Sequence, residues 1–404
     1  MNGLSVYEQQ LRNGGAGVYY LLSYLGGPHD YMWLCTTQPG LIYSEMKQAY
    51  DCNARRLWVV NVHDLKPAAY DLELFLDMAW NINSVSPSTL VEHQKSWLCR
   101  EFGKEAGEKL LPAMLEFYRL CGIRKPEFMG NTRTEEKDPK FKIISDLPWS
   151  EQEIKERLTA YKQLSDKVEQ EWHALPAQKK ETYFQLVKYP VQAAAQMNNK
   201  LLTAQLARHG KADWADSDRA YDSIVSLTKR YNITKWNRMM DFQPRRLPVF
   251  NRVERKALSS GLLENRQAVY TWNGADCAEG VSAICKGLGY EGKAVAVSKN
   301  KELTFEFTAW ETDSVEVEVR LLPNHPVEGE WLRFTISLDG SATEAVSYET
   351  KGRSEEWKEN VLCNQAVRRM ILPVARKASH RLIFTALDEG VVLDQIYLYT
   401  PRIK

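Results

Sequence analysis

Apolar positions in the first 85 residues fall into two kinds of run. Val18-Tyr19-Tyr20-Leu21-Leu22-Ser23-Tyr24-Leu25 is a continuous β-like stretch, entered through Gly14-Gly15-Ala16-Gly17 and stopped by Gly26-Gly27-Pro28. Leu57-Trp58-Val59-Val60-Asn61-Val62 is a second run, apolar enough to predict a strand buried on both faces. Residues 41–50 and 70–80 carry helical spacing instead. Strand, helix, strand, helix in about 65 residues is the repeat of barrel and doubly wound folds, with parallel pairing. Two repeats cannot close a barrel, so residues 1–85 are expected to be a partial (β/α) barrel remnant.

From 86 to about 250 the period becomes helical and predicts a helical bundle. Ser86 and Pro87 suit a helix start, and Gly103, Gly107 and Pro112 divide the residues after it. Ser150 and Glu153 form a capping-box pair ahead of Ile154, Leu158, Tyr161, Leu164, Val168 and Trp172, which share one face. Pro176 opens another helix, Pro190 kinks it, and Asp216 or Ser217 caps a last one. The stretch 122–149, interrupted by prolines and glycines, exceeds an ordinary bundle connection.

From 265 the period is two. Leu303, Phe305 and Phe307, then Val315, Val317, Val319 and Leu321, alternate with polar neighbours. The run 332–338 ends in the turn pair Asp339-Gly340, and 382–386 and 391–399 keep the alternation, which favours a C-terminal antiparallel β-sandwich. The chain thus reads as multidomain, α/β then α then β: 1–85, 86–250 and 265–404.

Composition narrows the partners. Fifty-three Lys and Arg against fifty-two Asp and Glu leave a net charge of +1, which offers no field for nucleic acid or an anionic membrane. Seven scattered cysteines without CxxC spacing read as reduced thiols. No signal-peptide pattern opens the chain and no apolar run approaches a membrane span, so cytoplasmic is the default location. No histidine–cysteine spacing suggests zinc, and no nucleophile elbow, HExxH, Walker A or dinucleotide fingerprint stands in context, so neither metal nor cofactor is expected.

Chemistry in parallel α/β units gathers where strands end. That rule selects Ser23, Tyr24, His29, Asp30, Tyr31 and Trp33 after the first strand, and Asn61, His63, Asp64 and Lys66 after the second. The aromatics offer flat apolar faces with polar edges, suited to sugar rings, although Tyr19, Tyr20 and Trp33 serve core packing as readily. Asn61 follows apolar residues inside a strand, where a buried amide requires a hydrogen-bonding network or a ligand. His29-Asp30 is an acid/base couple, a pair of metal ligands or a surface turn; Asp64 is either a carboxylate at the mouth or a turn cap.

The stretches GGAGVYYLLSYLGGPHDYMW at 14–33 and LIYSEMKQAYDCNARRLWVVNVHDLKPAAYDLELFLDMAWN at 41–81 resemble the closing part of the catalytic barrel in glycoside hydrolase family 115. The resemblance continues through the helices and at VEVRLLPNHPV and LRFTISLDG. It implies an α-glucuronidase that releases 4-O-methylglucuronic or glucuronic acid from xylan or a glucuronoxylan oligosaccharide, by inverting hydrolysis without a cofactor. It implies pocket residues at Tyr24 and Asn61, and departs at Leu21, where family members commonly carry histidine. It also implies a longer protein, so this chain is expected to be a weakly active or inactive C-terminal portion.

An inverting glycosidase needs two carboxyl groups about 6.5–9.5 Å apart. Asp30 and Asp64 are the candidates by position, although neither matches the carboxylate the resemblance assigns. Residues 1–85 carry five basic against eight acidic side chains, a net of −3, so a glucuronate needs a local cation, for which Lys66 is placed. His29 and Tyr31 complete the expected binding set. A homodimer is one admissible assembly. The competing reading is a noncatalytic carbohydrate-binding or structural protein that uses the C-terminal sheets.

Overall fold

A computed structural model describes residues 13–25, 32–131, 144–234, 237–255, 262–278, 282–350, 352 and 354–402. It combines helices with a short parallel sheet and two antiparallel sheets.

Strands β1 (Val18–Leu21) and β2 (Trp58–Asn61) pair in parallel, with Leu21 opposite Asn61 at their carboxyl ends. Helices α1 (Pro39–Asp51) and α2 (Ala69–Trp80) follow them. One face of the pair is covered: Tyr20 stacks on Phe75 of α2 at 5.7 Å between centroids, and Trp58 meets the same ring at 5.6 Å. The other face departs from the expectation of double burial, since Tyr19 is 59% exposed and all of β2 is half-buried. The helices pack through one alternate set of side chains, and Tyr19, on the opposite set, is left to solvent.

The helical part begins with α3 (Leu90–Phe102), four residues beyond the expected start at Ser86. Ser86 Oγ accepts from Thr89 N at 3.3 Å, so its side chain closes a local turn rather than capping a helix. Gly103, with φ +93°, separates α3 from α4 (Lys104–Ile123), whereas Gly107 and Pro112 lie inside α4. Gly107 is needed there because a Cβ would stand 2.5 Å from the backbone nitrogen of Cys99 on α3. The Ser150–Glu153 capping box is present at the start of α5 (Glu151–Ala174). Pro176 precedes α6 (Ala177–Tyr183), and a π-helical turn at Phe184–Lys188 takes up the irregularity before Pro190 in α7 (Tyr189–Arg208). Asp213, not Asp216 or Ser217, caps α8 (Trp214–Ile233), accepting from Ala215 N at 2.9 Å. Trp97 is buried in the helical core and Trp149 and Trp214 pack against it, while Trp236 lies outside the described residues. Trp33, Leu34 and Tyr70 belong to that core as well, so the first 85 residues share apolar packing with the helices.

Two antiparallel sheets follow. The six-stranded one contains β3 (Tyr270–Asn273), β4 (Ser282–Lys286), β5 (Lys293–Val297), β7 (Ser314–Leu321), β11 (Ala366–Pro373) and β13 (Val392–Tyr399). The five-stranded one contains β6 (Glu302–Thr308), β8 (Arg333–Leu338), β9 (Ser341–Ala342), β10 (Val346–Ser347) and β12 (Ser379–Ala386). Inward residues of both sheets, among them Phe305, Phe334, Phe384, Val317 and Ile396, share one core. Asp339 (φ +49°) and Gly340 (φ +88°) make the positive-φ turn that the pair predicts. A helix, α9 (Glu355–Cys363), precedes β11.

None of the seven cysteines is joined in a disulfide. Among the described residues, no helix is long and apolar enough to cross a membrane.

Candidate functional site

Asn61 ends β2, and Tyr24 lies three residues beyond β1, so parallel pairing puts both at the same end of the sheet. The Asn61 backbone carbonyl accepts from Leu22 N at 3.0 Å and Ser23 N at 3.2 Å. Its side-chain Nδ2 donates to the Ser23 carbonyl at 3.1 Å. The amide thus finds the network its position demands, and holds the segment that leads into Tyr24.

Beyond that segment, the buried Glu127 carboxylate accepts from Met32 N at 3.0 Å and Trp33 N at 2.7 Å through Oε1. The residues between these two anchors include His29, Asp30 and Tyr31, which lie outside the described residues.

Half-buried Tyr24 lines a cavity of about 410 Å3 assembled from the whole length of the chain. Tyr20, Thr36, Thr37 and Glu45 come from the first segment, Gly122 and Lys125 from the end of α4, and His325, Trp357 and Asn364 from the sheet region. Burial raises the Glu45 carboxyl above its ordinary value and lowers the His325 imidazole. Sequence reasoning missed Glu45, Lys125, His325 and Trp357, because no local pattern links residues so far apart.

His63 and Asp64 line a different cavity of about 1010 Å3, together with Trp33, Lys229, Asn232 and Arg238. His63 Nδ1 and Asp64 Oδ2 are 3.1 Å apart at the surface. Lys66 is exposed and lines neither cavity; its carbonyl accepts from Gln185 Nε2 at 3.5 Å. The structure therefore separates the expected set: Tyr24 and Asn61 share a strand end, whereas Asp64 sits with His63 and a helical wall.

The comparison with curated proteins gave no match. A solved 4-O-methyl-α-glucuronidase of family GH115, described as having specificity for decorated arabinogalactans, is 58% identical with a TM-score of 0.94, over 98% of this chain and 52% of that one. The chain thus spans about half the length of that relative. A carbohydrate-binding module from Cellvibrio mixtus lichenase 5A and an exo-β-1,3-galactanase from Phanerochaete chrysosporium align at 14% and 16% identity. They cover 34% and 32% of this chain and 100% and 29% of their own, each with a TM-score of 0.25, too low to carry an argument. The model of glycosyl hydrolase family 115 matches residues 1–128, and that of its C-terminal domain matches 283–404. Together these cover more than half of the sequence, and with the 58% identical structure they show that the chain belongs to glycosyl hydrolase family 115.

Proposed function

We propose that this chain is a weakly active or inactive carboxyl-terminal portion of an α-glucuronidase that releases 4-O-methylglucuronic or glucuronic acid from a decorated plant polysaccharide by inverting hydrolysis. The observation that carries the reading is 58% identity over nearly the whole chain to a solved 4-O-methyl-α-glucuronidase. In this reading residues 1–85 form part of a (β/α) barrel, 86–250 a helical bundle and 265–404 a β-sandwich. Parallel β1 and β2 with covering helices, and two antiparallel sheets around one core, support that division.

Tyr24 and Asn61 contribute one wall of the glucuronate pocket. Tyr24 supplies an aromatic face with a hydroxyl, and Asn61 fixes the segment that carries it. His29 and Tyr31 are proposed for the same wall, and Lys66 for long-range attraction of the acid. Inversion requires a general acid and a general base on opposite faces of the sugar. Asp64 pairs with His63 and lines a different cavity from Tyr24, and neither Asp30 nor Asp64 matches the carboxylate that the family resemblance assigns. We assign the acid and base to polypeptide outside this chain and expect weak or no hydrolysis from the chain alone.

The relative's specificity favours decorated arabinogalactan over glucuronoxylan as the first substrate to test. Release of 4-O-methylglucuronic acid from both polymers by the purified 404-residue protein, beside the intact relative, decides the assignment. The expected rate is at least about a thousandfold below the relative's. A comparable rate would place a complete acid–base pair within this sequence.

A further inference from the structure

A further cavity, of about 440 Å3, lies between the α3–α4 pair and the turn that joins β4 to β5. Leu90 and Val91 of α3, Pro112 and Leu115 of α4, and Pro39 at the start of α1 give it an aliphatic body. None of the residues proposed for the glucuronate pocket lines it, and only Gln38 borders both this space and the Tyr24 cavity.

Gln94 is the polar group inside it. One turn after Leu90 on α3, it falls on the same buried face of the helix. It is 3% exposed and makes no side-chain hydrogen bond among the described residues, yet its amide is not one of the unpartnered groups sealed inside the protein, so it opens onto the cavity. An unpartnered amide at such a depth is costly, and one that faces a cavity of this size points to a ligand that supplies the partner.

The mouth carries charge, much of it already paired. Arg119 donates to the two Glu116 oxygens at 2.7 and 2.8 Å and to the Tyr290 carbonyl at 3.0 Å, and Glu291 adds to the negative field around it. Lys293 pairs with Asp276. Lys286 is exposed and, among the described residues, has no acidic partner. A cation at the mouth and an amide in the depth call for a ligand with an anionic end, an apolar body and a neutral hydrogen-bonding group at its far end. The walls are fixed: Gln38 Nε2 donates to the Gly289 carbonyl at 3.3 Å and Gly40 N to the Gly287 carbonyl at 3.1 Å, which ties the β4–β5 turn to the start of α1. A preorganised cavity loses little order when it is filled, and a rigid ring loses less than a flexible chain.

We propose that this cavity binds a hydroxyaryl monocarboxylate, its hydroxyl donating to the Gln94 amide oxygen, its ring among Leu90, Pro112 and Leu115, and its carboxylate at Lys286. The site is separate from the glucuronate pocket and the inference does not depend on glucuronate release, so either can fail while the other stands.

The experiment is calorimetric titration of the 404-residue protein with 4-hydroxycinnamate, its methyl ester and cinnamate. The first should bind, the ester about fivefold more weakly for want of a charge at Lys286, and cinnamate about tenfold more weakly for want of a hydroxyl at Gln94. Gln94→Leu should weaken 4-hydroxycinnamate about tenfold and abolish its advantage over cinnamate, and because the amide has no partner in the protein the variant should melt no earlier than the wild type. Lys286→Met, at an exposed position, should abolish the advantage of the acid over the ester. No binding of 4-hydroxycinnamate, an advantage that persists in the matching variant, or early melting of Gln94→Leu would each overturn the proposal. Displacement of 4-hydroxycinnamate by free glucuronic acid would overturn it too, by placing the ligand in the Tyr24 cavity.

Discussion

Gln38 and Asn364 stand 326 positions apart in the chain and are joined by a 2.7 Å hydrogen bond, from Asn364 Nδ2 to Gln38 Oε1. Gln38 immediately precedes α1, and Asn364 follows α9 in the left-handed conformation, with φ +49°. The same glutamine reaches Gly289 between β4 and β5, where Gly40 N also donates to the Gly287 carbonyl at 3.1 Å. A Cβ on Gly40 would lie 2.6 Å from that carbonyl oxygen, so the two backbones touch. Arg119 of α4 donates to the Tyr290 carbonyl at 3.0 Å, drawing the helices into the same junction.

Gln38 is 3% exposed, so its removal leaves two partners short of a hydrogen bond in a place water reaches poorly. Gln38→Ala should cost about 2–4 kcal/mol of unfolding free energy, the sum expected for two buried groups left unsatisfied. Urea denaturation followed by circular dichroism measures it; a loss below about 0.5 kcal/mol would show that the junction is not held there.

Gly122 gives an independent handle on the same amide. A Cβ at this position in α4 would stand 2.4 Å from Gln38 Cδ, and the tethered amide cannot swing away without breaking its bonds. Gly122→Ala should therefore destabilise the wild type by about 1–3 kcal/mol. In a Gln38→Ala background the clash is gone and the helix-forming preference of alanine, about 1 kcal/mol, should reverse the sign. A double-mutant cycle reads the coupling directly, and additive effects would refute the contact.

Local chemistry was legible in the sequence where a short stretch decides the structure by itself. The Ser150–Glu153 box starts α5, and Asp339-Gly340 makes its turn, because each needs only its own few residues. Ser86 has the same cap chemistry, yet its hydroxyl is used within the 86–89 turn, a choice that composition does not determine. Gly107 reads as a breaker in one dimension and is a close helix crossing in three. The strand-end rule finds Tyr24 and Asn61 together since it depends only on polarity along parallel strands. It cannot find Glu45, His325 and Trp357, whose proximity is created by the junction at Gln38.

Asn61 can be tested without touching the strand register. Its Nδ2 donates to a carbonyl, so Asn61→Ala should cost about 0.5–1.5 kcal/mol. Asn61→Asp should cost more at neutral pH, because an ionised carboxylate would face the Ser23 carbonyl oxygen with no proton between them. Protonation restores a donor, so the gap between the two variants should close as pH falls from about 7.5 toward about 4.5. Equal stability of Asn61→Ala and Asn61→Asp at about pH 7.5 would mean that the amide is oriented otherwise.

Lys200 carries the clearest pH signature. It is fully buried in α7, and its ammonium donates to the Asn251 carbonyl at 2.9 Å and to the Val249 carbonyl. Burial pushes its pKa down to about 7 from 10.5. Between those values the unfolded chain holds a proton that the folded chain has given up, so this group makes stability rise with pH, at up to about 1.4 kcal/mol per unit. Below about pH 7 both states are protonated and its contribution becomes flat. Lys200→Met removes the titration and the two hydrogen bonds together, which lowers stability at every pH but erases the slope. The stability of wild type minus Lys200→Met should therefore increase from about pH 7 to about pH 9 in paired urea melts. A constant difference across that range would mean that the ammonium stays charged in the folded protein, held by its two carbonyl acceptors against the cost of burial.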